Sequence, residues 1–248
     1  MRDFRMLDDE GTLRVRSLWR DLMRAPEGFL EPGWVVVASS GHRAAPDGWV
    51  GIVEILDSVV IAAPDDLVAA LTGRAEGAAS MGSMTDARGV HEIFGPIHEV
   101  LGPAMLFYGH AVLDEVRHEV VGPVPLADVR IQSVLASASA DEVEESGVRD
   151  TTSGLWLALD DQGRPAALSG WREWPQQVAH MSIITASTHR AMGLGSDCAR
   201  AALGAARQAG LLPQWRAAEG NVASVTLANR LGLQRVGRQV SIRFGIDA

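Results

Sequence analysis

An extended apolar run from Val178 to Thr185 leads through His189-Arg190-Ala191-Met192-Gly193-Leu194-Gly195-Ser196 into an alanine-rich helical pattern that lasts to Ala209. Strand, glycine turn and helix in that order restrict the fold more than any other segment. Glycine tolerates the positive φ of a tight turn, and such a turn presents several N–H groups at a helix N-terminus. The positive end of the helix dipole lies there too, so the local chemistry suits a phosphate or diphosphate. A helix entry rich in small residues also serves plain packing, and Arg-x-x-Gly-x-Gly alone does not separate the two uses.

A second segment adds to the first. Asn221-Val222-Ala223-Ser224 sets an N-cap residue before an apolar pattern through Ala228 and Leu231, and Gly232 follows where a helix would end. Together the two segments resemble the GNAT superfamily of acyl-CoA-dependent N-acetyltransferases, whose loop reads Gln/Arg-x-x-Gly-x-Gly/Ala. Here it reads Arg190, Gly193 and Gly195, and the resemblance covers about residues 125–248.

The resemblance implies an α/β (α+β) fold with a mixed central β-sheet flanked by helices, and acetyl-CoA as acyl donor. It implies that the backbone around Arg190, Ala191, Met192, Gly193, Leu194, Gly195 and Ser196 holds the CoA diphosphate. The strand end Ile183, Ile184 and Thr185 would pair with the pantetheine arm, and Asn221 and Ser224 would approach that arm near the thioester. The strand bearing Trp215 and Arg216 would splay from strand 178–185 and open a slot. Two departures stand out. Met192 replaces a residue that is often basic in the family, and Ala228 stands where many members place a tyrosine as general acid. The chain's one tyrosine is Tyr108.

With 248 residues and 47% apolar content the chain can bury a sizeable core, in one large or two modest domains. The net charge of −9 argues against a nucleic-acid partner and favours an amine. All 22 basic residues are arginine, so no lysine can form a Schiff base or accept an acyl group. The single cysteine, Cys198, shares helical spacing with Leu194, Ala201, Ala202 and Ala205, which reads as a buried small hydrophobe. One cysteine precludes an internal disulfide, the first 30 residues lack an apolar signal core, and no apolar run reaches membrane length. These features predict a cytoplasmic protein with no membrane partner.

Several chemistries lack their motifs. Seven histidines, at 42, 91, 98, 110, 118, 180 and 189, include no i, i+4 pair, and with no Cys-x-x-Cys no metal site is expected. There is no Gly-x-Ser-x-Gly elbow, no Gly-Lys-Ser/Thr, and no dinucleotide fingerprint.

Along the C-terminal half the pattern predicts a helix from Ala127 to about Glu144, strands at 155–159 and 165–171 around the turn 160–163, and strand 178–185. A helix to about Gly210, a strand at 211–217, a helix at 221–231 and a strand at 240–244 follow. In residues 1–120, strands are expected at 34–39, 49–56 and 58–63, a helix begins at 64–71, and 104–108 is a short apolar run. Strand 58–63 also leads through a turn into a helix, so this part is expected to be a degenerate copy of the same architecture, making a tandem pair, or a capping domain. Ala63-Pro64-Asp65-Asp66 has no glycine pair and puts carboxylates where phosphates would sit, so CoA binding is not expected there. Residues 73–90 read as a mobile loop, 122–125 as a linker, and the apolar strands 34–39 and 58–63 as surfaces for a homodimer.

Direct acyl transfer needs a group to take the amine's proton. His180 shares a strand face with Ser182 and is one candidate, against a purely structural histidine. Glu173, between Trp171 and Trp174, would act if the indoles desolvate it, against a surface turn. Glu144 and Glu145 end the helix that, by the resemblance, borders the acceptor pocket, and could hold a cationic amine, against a solvated helix end. Trp171, Trp174 and Trp215 could wall an acceptor or serve packing. The expected function is therefore an acetyl-CoA-dependent N-acetyltransferase acting on a primary amine. A catalytically silent acyl-CoA-binding or interaction module is the alternative.

Overall fold

The computed structural model describes residues 7–78, 80, 84–109 and 116–245. Contacts divide the chain into two compact units that interleave in sequence. One comprises Asp8–Phe107, Arg216–Val225 and Arg235–Ala248, and the other is built mainly from Tyr108–Trp215 with Thr226–Gln234.

The first unit opens with α1 (Asp9–Met23), which falls outside the elements expected from the sequence pattern. Asp8 caps it by accepting the Gly11 N–H, and Val15, Leu18, Trp19 and Leu22 bury one face at helical spacing. Strands β1 (Gly33–Ala38), β2 (Val50–Ile55) and β3 (Ser58–Ala63) follow, then α2 (Val68–Glu76), α3 (Ala87–Phe94) and β4 (Glu99–Tyr108). β1 pairs parallel with β3, and β2 antiparallel with β3. The last strand of the chain, β10 (Gln234–Arg243), joins this sheet antiparallel to β2, with Gly237 opposite Ile55 and Ile242 opposite Val50. A Cβ at Gly237 would sit 1.8 Å from the Glu54 carbonyl oxygen, so this close pairing requires glycine. The strand order is β1-β3-β2-β10-β4. Ile52, Ile61, Val240 and Ile242 from the sheet pack with Leu71, Val90 and Phe94 from the helices.

Three expectations change in this unit. Of the expected loop 73–90, Gly73–Glu76 ends α2 and Ala87–Val90 begins α3, because Asp86 accepts the N–H groups of Arg88 and Gly89 and caps a helix. Residues 79 and 81–83 of that loop lie outside the described residues, as does His110. The short run 104–108 is the end of the longer β4, and strand 240–244 extends back to Gln234.

In the second unit the order is β9-β8-β7-β6-β5, built from β5 (Val120–Val124), β6 (Leu155–Leu159), β7 (Pro165–Trp174), β8 (Val178–Thr185) and β9 (Leu212–Ala218). Antiparallel pairs join β5 through β8, and β8 pairs parallel with β9. Both units therefore carry a mixed sheet flanked by helices, the expected α/β class. The expected linker 122–125 lies largely in β5, since Val120, Val121 and Val124 pair with β6. The single helix expected over 127–144 is two, α4 (Val129–Leu135) and α5 (Ala140–Ser146). Ser139 and Glu142 form a reciprocal capping box that starts the second.

Val134, Leu135 and Val143 of these helices bury against Leu155, Leu157, Leu168 and Ile184 on one face of the sheet. The long helix α6 (Leu194–Gln208) covers the other face, with Cys198 donating to the Trp156 carbonyl at 3.0 Å. The last helix is α7 (Val222–Arg230).

Candidate active site

β8 ends at Thr185, a 3-10 turn spans Ser187–His189, and α6 starts at Leu194. Between them Ala191 and Gly193 adopt positive φ, 62° and 90°. Gly193 is the N-cap of α6, and no side chain caps this helix end. Its first N–H groups therefore keep the chemistry of an anion cradle. Gly195 answers a different need. A Cβ there would lie 2.5 Å from Thr185 Oγ1, so the helix approaches the strand closely only because this residue has no side chain.

The side chains around the loop are largely committed. Arg190 forms an ion pair with Glu142 at 2.6 Å, which with the backbone N–H of Ser139 holds the Glu142 carboxyl below its usual range. Met192 is exposed and apolar. His189 contacts Asp160 at 3.1 Å, in the turn between β6 and β7. Asp197, buried in the first turn of α6, accepts the backbone N–H groups of Arg117 and His118 and pairs with the His118 ring at 2.7 Å. Desolvation pushes the Asp197 pKa upward, but these bonds prevail and lower it overall.

β8 and β9 diverge. Their parallel ladder joins Val178–His180 to Leu212–Gln214 and stops, although β8 continues to Thr185 and β9 to Ala218. The β9-facing backbone groups of β8 beyond His180, those of Met181, Ile183 and Thr185, thus have no ladder partner on β9, whereas Ile184 faces β7. Peptide groups left this way accept an extended amide-bearing chain.

His180 sits at the fork. Its Nδ1 bonds to Oε1 of Gln214, the residue opposite it in the ladder, so Nδ1 carries the proton. The ring also stacks on Trp174, centroids 4.3 Å apart. Gln214 is fully buried, and among the described residues its Nε2 has no hydrogen-bond partner. Glu173 is not in a turn but on β7, exposed, so the indoles do not desolvate it. Trp171 stacks on Trp156 at 5.1 Å, and Trp215 is buried.

On the α4–α5 side an open pocket of about 560 Å³ is lined by Leu135, Ala138, Val143, Glu144, Arg149 and Asp150. Glu144 and Glu145 are both exposed, and Glu144 borders this pocket. Gly147, after α5, approaches Ser182 of β8 so closely that a Cβ on it would lie only 3.2 Å from the hydroxyl. Asn221 caps α7 by accepting the Ser224 N–H at 3.0 Å. Ala228 is fully buried in α7, leaving no space for a phenol there. Burial pushes the Cys198 thiol far above its ordinary value, so it is not a nucleophile. Among the described residues no cluster of three metal-ligating side chains occurs, and no helix is long and apolar enough to cross a membrane.

Residues 166–239, which include the β8–α6 turn, match the family model described as GNAT acetyltransferase. The matched segment lies in the C-terminal half of the chain. Solved structures similar to the chain include a GCN5-related N-acetyltransferase from Kribbella flavida, 22% identical, TM-score 0.46, over 63% of this chain and 62% of that one. A GNAT-family acetyltransferase from Colwellia psychrerythraea is 15% identical, TM-score 0.45, over 64% and 62%. A tandem GNAT protein from the clavulanic acid biosynthesis pathway is 15% identical, TM-score 0.44, over 62% and 57%. The chain spans less than two thirds of the length of these structures. No curated protein matches it.

Sequence reasoning missed His118, Asp197 and Gln214. His118 is one of seven histidines without a pattern, and its partner Asp197 is 79 residues away. Only the folded chain brings them together.

Proposed function

We propose that the chain is a cytoplasmic acetyl-CoA-dependent N-acetyltransferase. Residues 125–248 would form its GNAT domain, and 1–120 a divergent GNAT-like or capping domain. The observation that carries this reading is the α6 N-terminus behind Gly193, uncapped by any side chain, inside the segment that matches the family.

In this reading the amides from Arg190 to Ser196 bind the CoA diphosphate, and Ile183 and Thr185 pair with pantetheine in the fork between β8 and β9. Asn221 and Ser224 contact the same arm. The amine nitrogen attacks the thioester carbonyl carbon while a backbone N–H near Ile184 steadies the oxyanion, and the C–S bond then breaks to release thiolate. His180, whose Nδ1–H is held by Gln214, takes the proton from the amine through Nε2. Glu145 is the carboxylate that draws in the acceptor's ammonium form, and Glu173 is the second candidate base beside His180. With Ala228 in place of a phenol, the thiolate leaves without an acid from α7; a thiol is acidic enough to depart in this form near neutrality.

A thiol-release assay with acetyl-CoA and a panel of primary amines tests the reading. Turnover with any amine supports it. Binding without turnover across the panel supports the silent module, and absence of binding at millimolar acetyl-CoA removes both.

A further inference from the structure

The glycine turn offers backbone donors but little side-chain charge. Arg190 is paired with Glu142, and Met192 is neutral. An imidazole reaches the turn from elsewhere in the chain. The segment before β5 is pinned to α6 by Asp197, whose Oδ2 accepts the N–H groups of Arg117 at 3.0 Å and His118 at 3.1 Å and contacts His118 Nδ1 at 2.7 Å. Asp197 is 3% exposed, and its other oxygen meets Arg200 at 3.2 Å. A carboxylate partner requires a proton on Nδ1, so Nε2 gains its N–H only in the imidazolium form. The ring's Cε1 lies 3.5 Å from the Cβ position of Gly193, which puts this edge against the N-cap of α6. The side chain is 25% exposed, and a ligand on the turn can reach it.

We infer that His118 is a proton-dependent diphosphate-binding residue, with Asp197 as its positioning residue; the inference rests on the CoA reading above. The imidazolium donates Nε2–H to a phosphoryl oxygen seated on the α6 amides. It also adds to the compensation that Arg200 already gives the buried Asp197 carboxylate beside the anion. Among the described residues the charged group bonded to the ring is Asp197, which Arg200 also meets. Its chain neighbours Arg117 and Glu119 are exposed. Because the protonated form binds, affinity rises as pH falls.

Calorimetry on the full chain at about pH 6 and about pH 8 with CoA, dephospho-CoA and pantetheine tests this. Wild-type affinity for CoA and for dephospho-CoA is expected to be about tenfold higher at the lower pH. His118→Asn should lose that gain for both and leave pantetheine binding unchanged. A variant that keeps the wild-type pH dependence overturns the inference while the CoA reading stands. A gain confined to CoA transfers the contact to the 3′-phosphate and also overturns it. No CoA binding by wild type fails the underlying reading itself. If the variant does not fold, the His118 Cε1–H resonance of wild type serves instead: its pKa should rise on adding CoA, and an unmoved pKa overturns the inference.

Discussion

β8 passes through Arg190–Gly193 into α6, and β3 passes through Pro64 and a 3-10 turn at Asp65–Leu67 into α2. Both are strand-to-helix turns, and neither helix has a side-chain cap. They differ in what meets the helix N-terminus. At α6 a glycine with φ of 90° leaves it open; at the 3-10 turn leading into α2, Asp65 and Asp66 bring two carboxylates to the same end. Those carboxylates complement the dipole and help the helix start, and for the same reason repel a phosphate. One architecture thus presents two exposed carboxylates at one helix entry and, at the other, a glycine turn whose one first-turn carboxylate, Asp197, is buried and paired with His118 and Arg200.

The sharpest way to break this comparison is to give the α6 turn the character of the other. Gly193→Glu adds a carboxylate and a side chain at positive φ, and is expected to weaken CoA binding at least about a hundredfold by calorimetry. A binding constant within a factor of about two of wild type would mean that the turn is only a packing device.

Gly195→Ala probes the close approach of α6 to β8. Its Cβ would fall 2.5 Å from Thr185 Oγ1, and overpacking of this kind costs about 1–3 kcal/mol in denaturant unfolding. Thr185→Ala in the same chain removes that oxygen, and should recover most of the loss. No coupling between the two substitutions would contradict the assigned contact.

The smallest effect belongs to the other turn. Asp65→Asn with Asp66→Asn removes two favourable dipole contacts, and should lower stability by no more than about 1 kcal/mol per site. CoA affinity should not change. A new second CoA site in this variant would show that the two turns are more alike than their charges suggest.

How much of this could be read in the chain follows from interaction range. Strand 178–185, the glycine turn and the start of α6 come from neighbouring residues, and the local pattern locates them well. Local capping was legible in principle: Ser139 with Glu142, and Asp86 before α3, are short-range signals, but the apolar spacing over 127–144 and the small residues of 73–90 masked them. The linker expectation at 122–125 failed because Gly122 and Pro123 punctuate a chain that sheet pairing with β6 keeps extended. Pairing of β10 with β2, the His118–Asp197 contact and the Gln214–His180 bond join residues far apart in sequence, and no local periodicity encodes them.

The central claim is that one turn, the one behind Gly193, binds the diphosphate of acetyl-CoA. Titration of the full chain with acetyl-CoA measures this most directly. The account predicts a single site per chain, lost in Gly193→Glu. Two sites per chain, no site, or one that survives the substitution would contradict it.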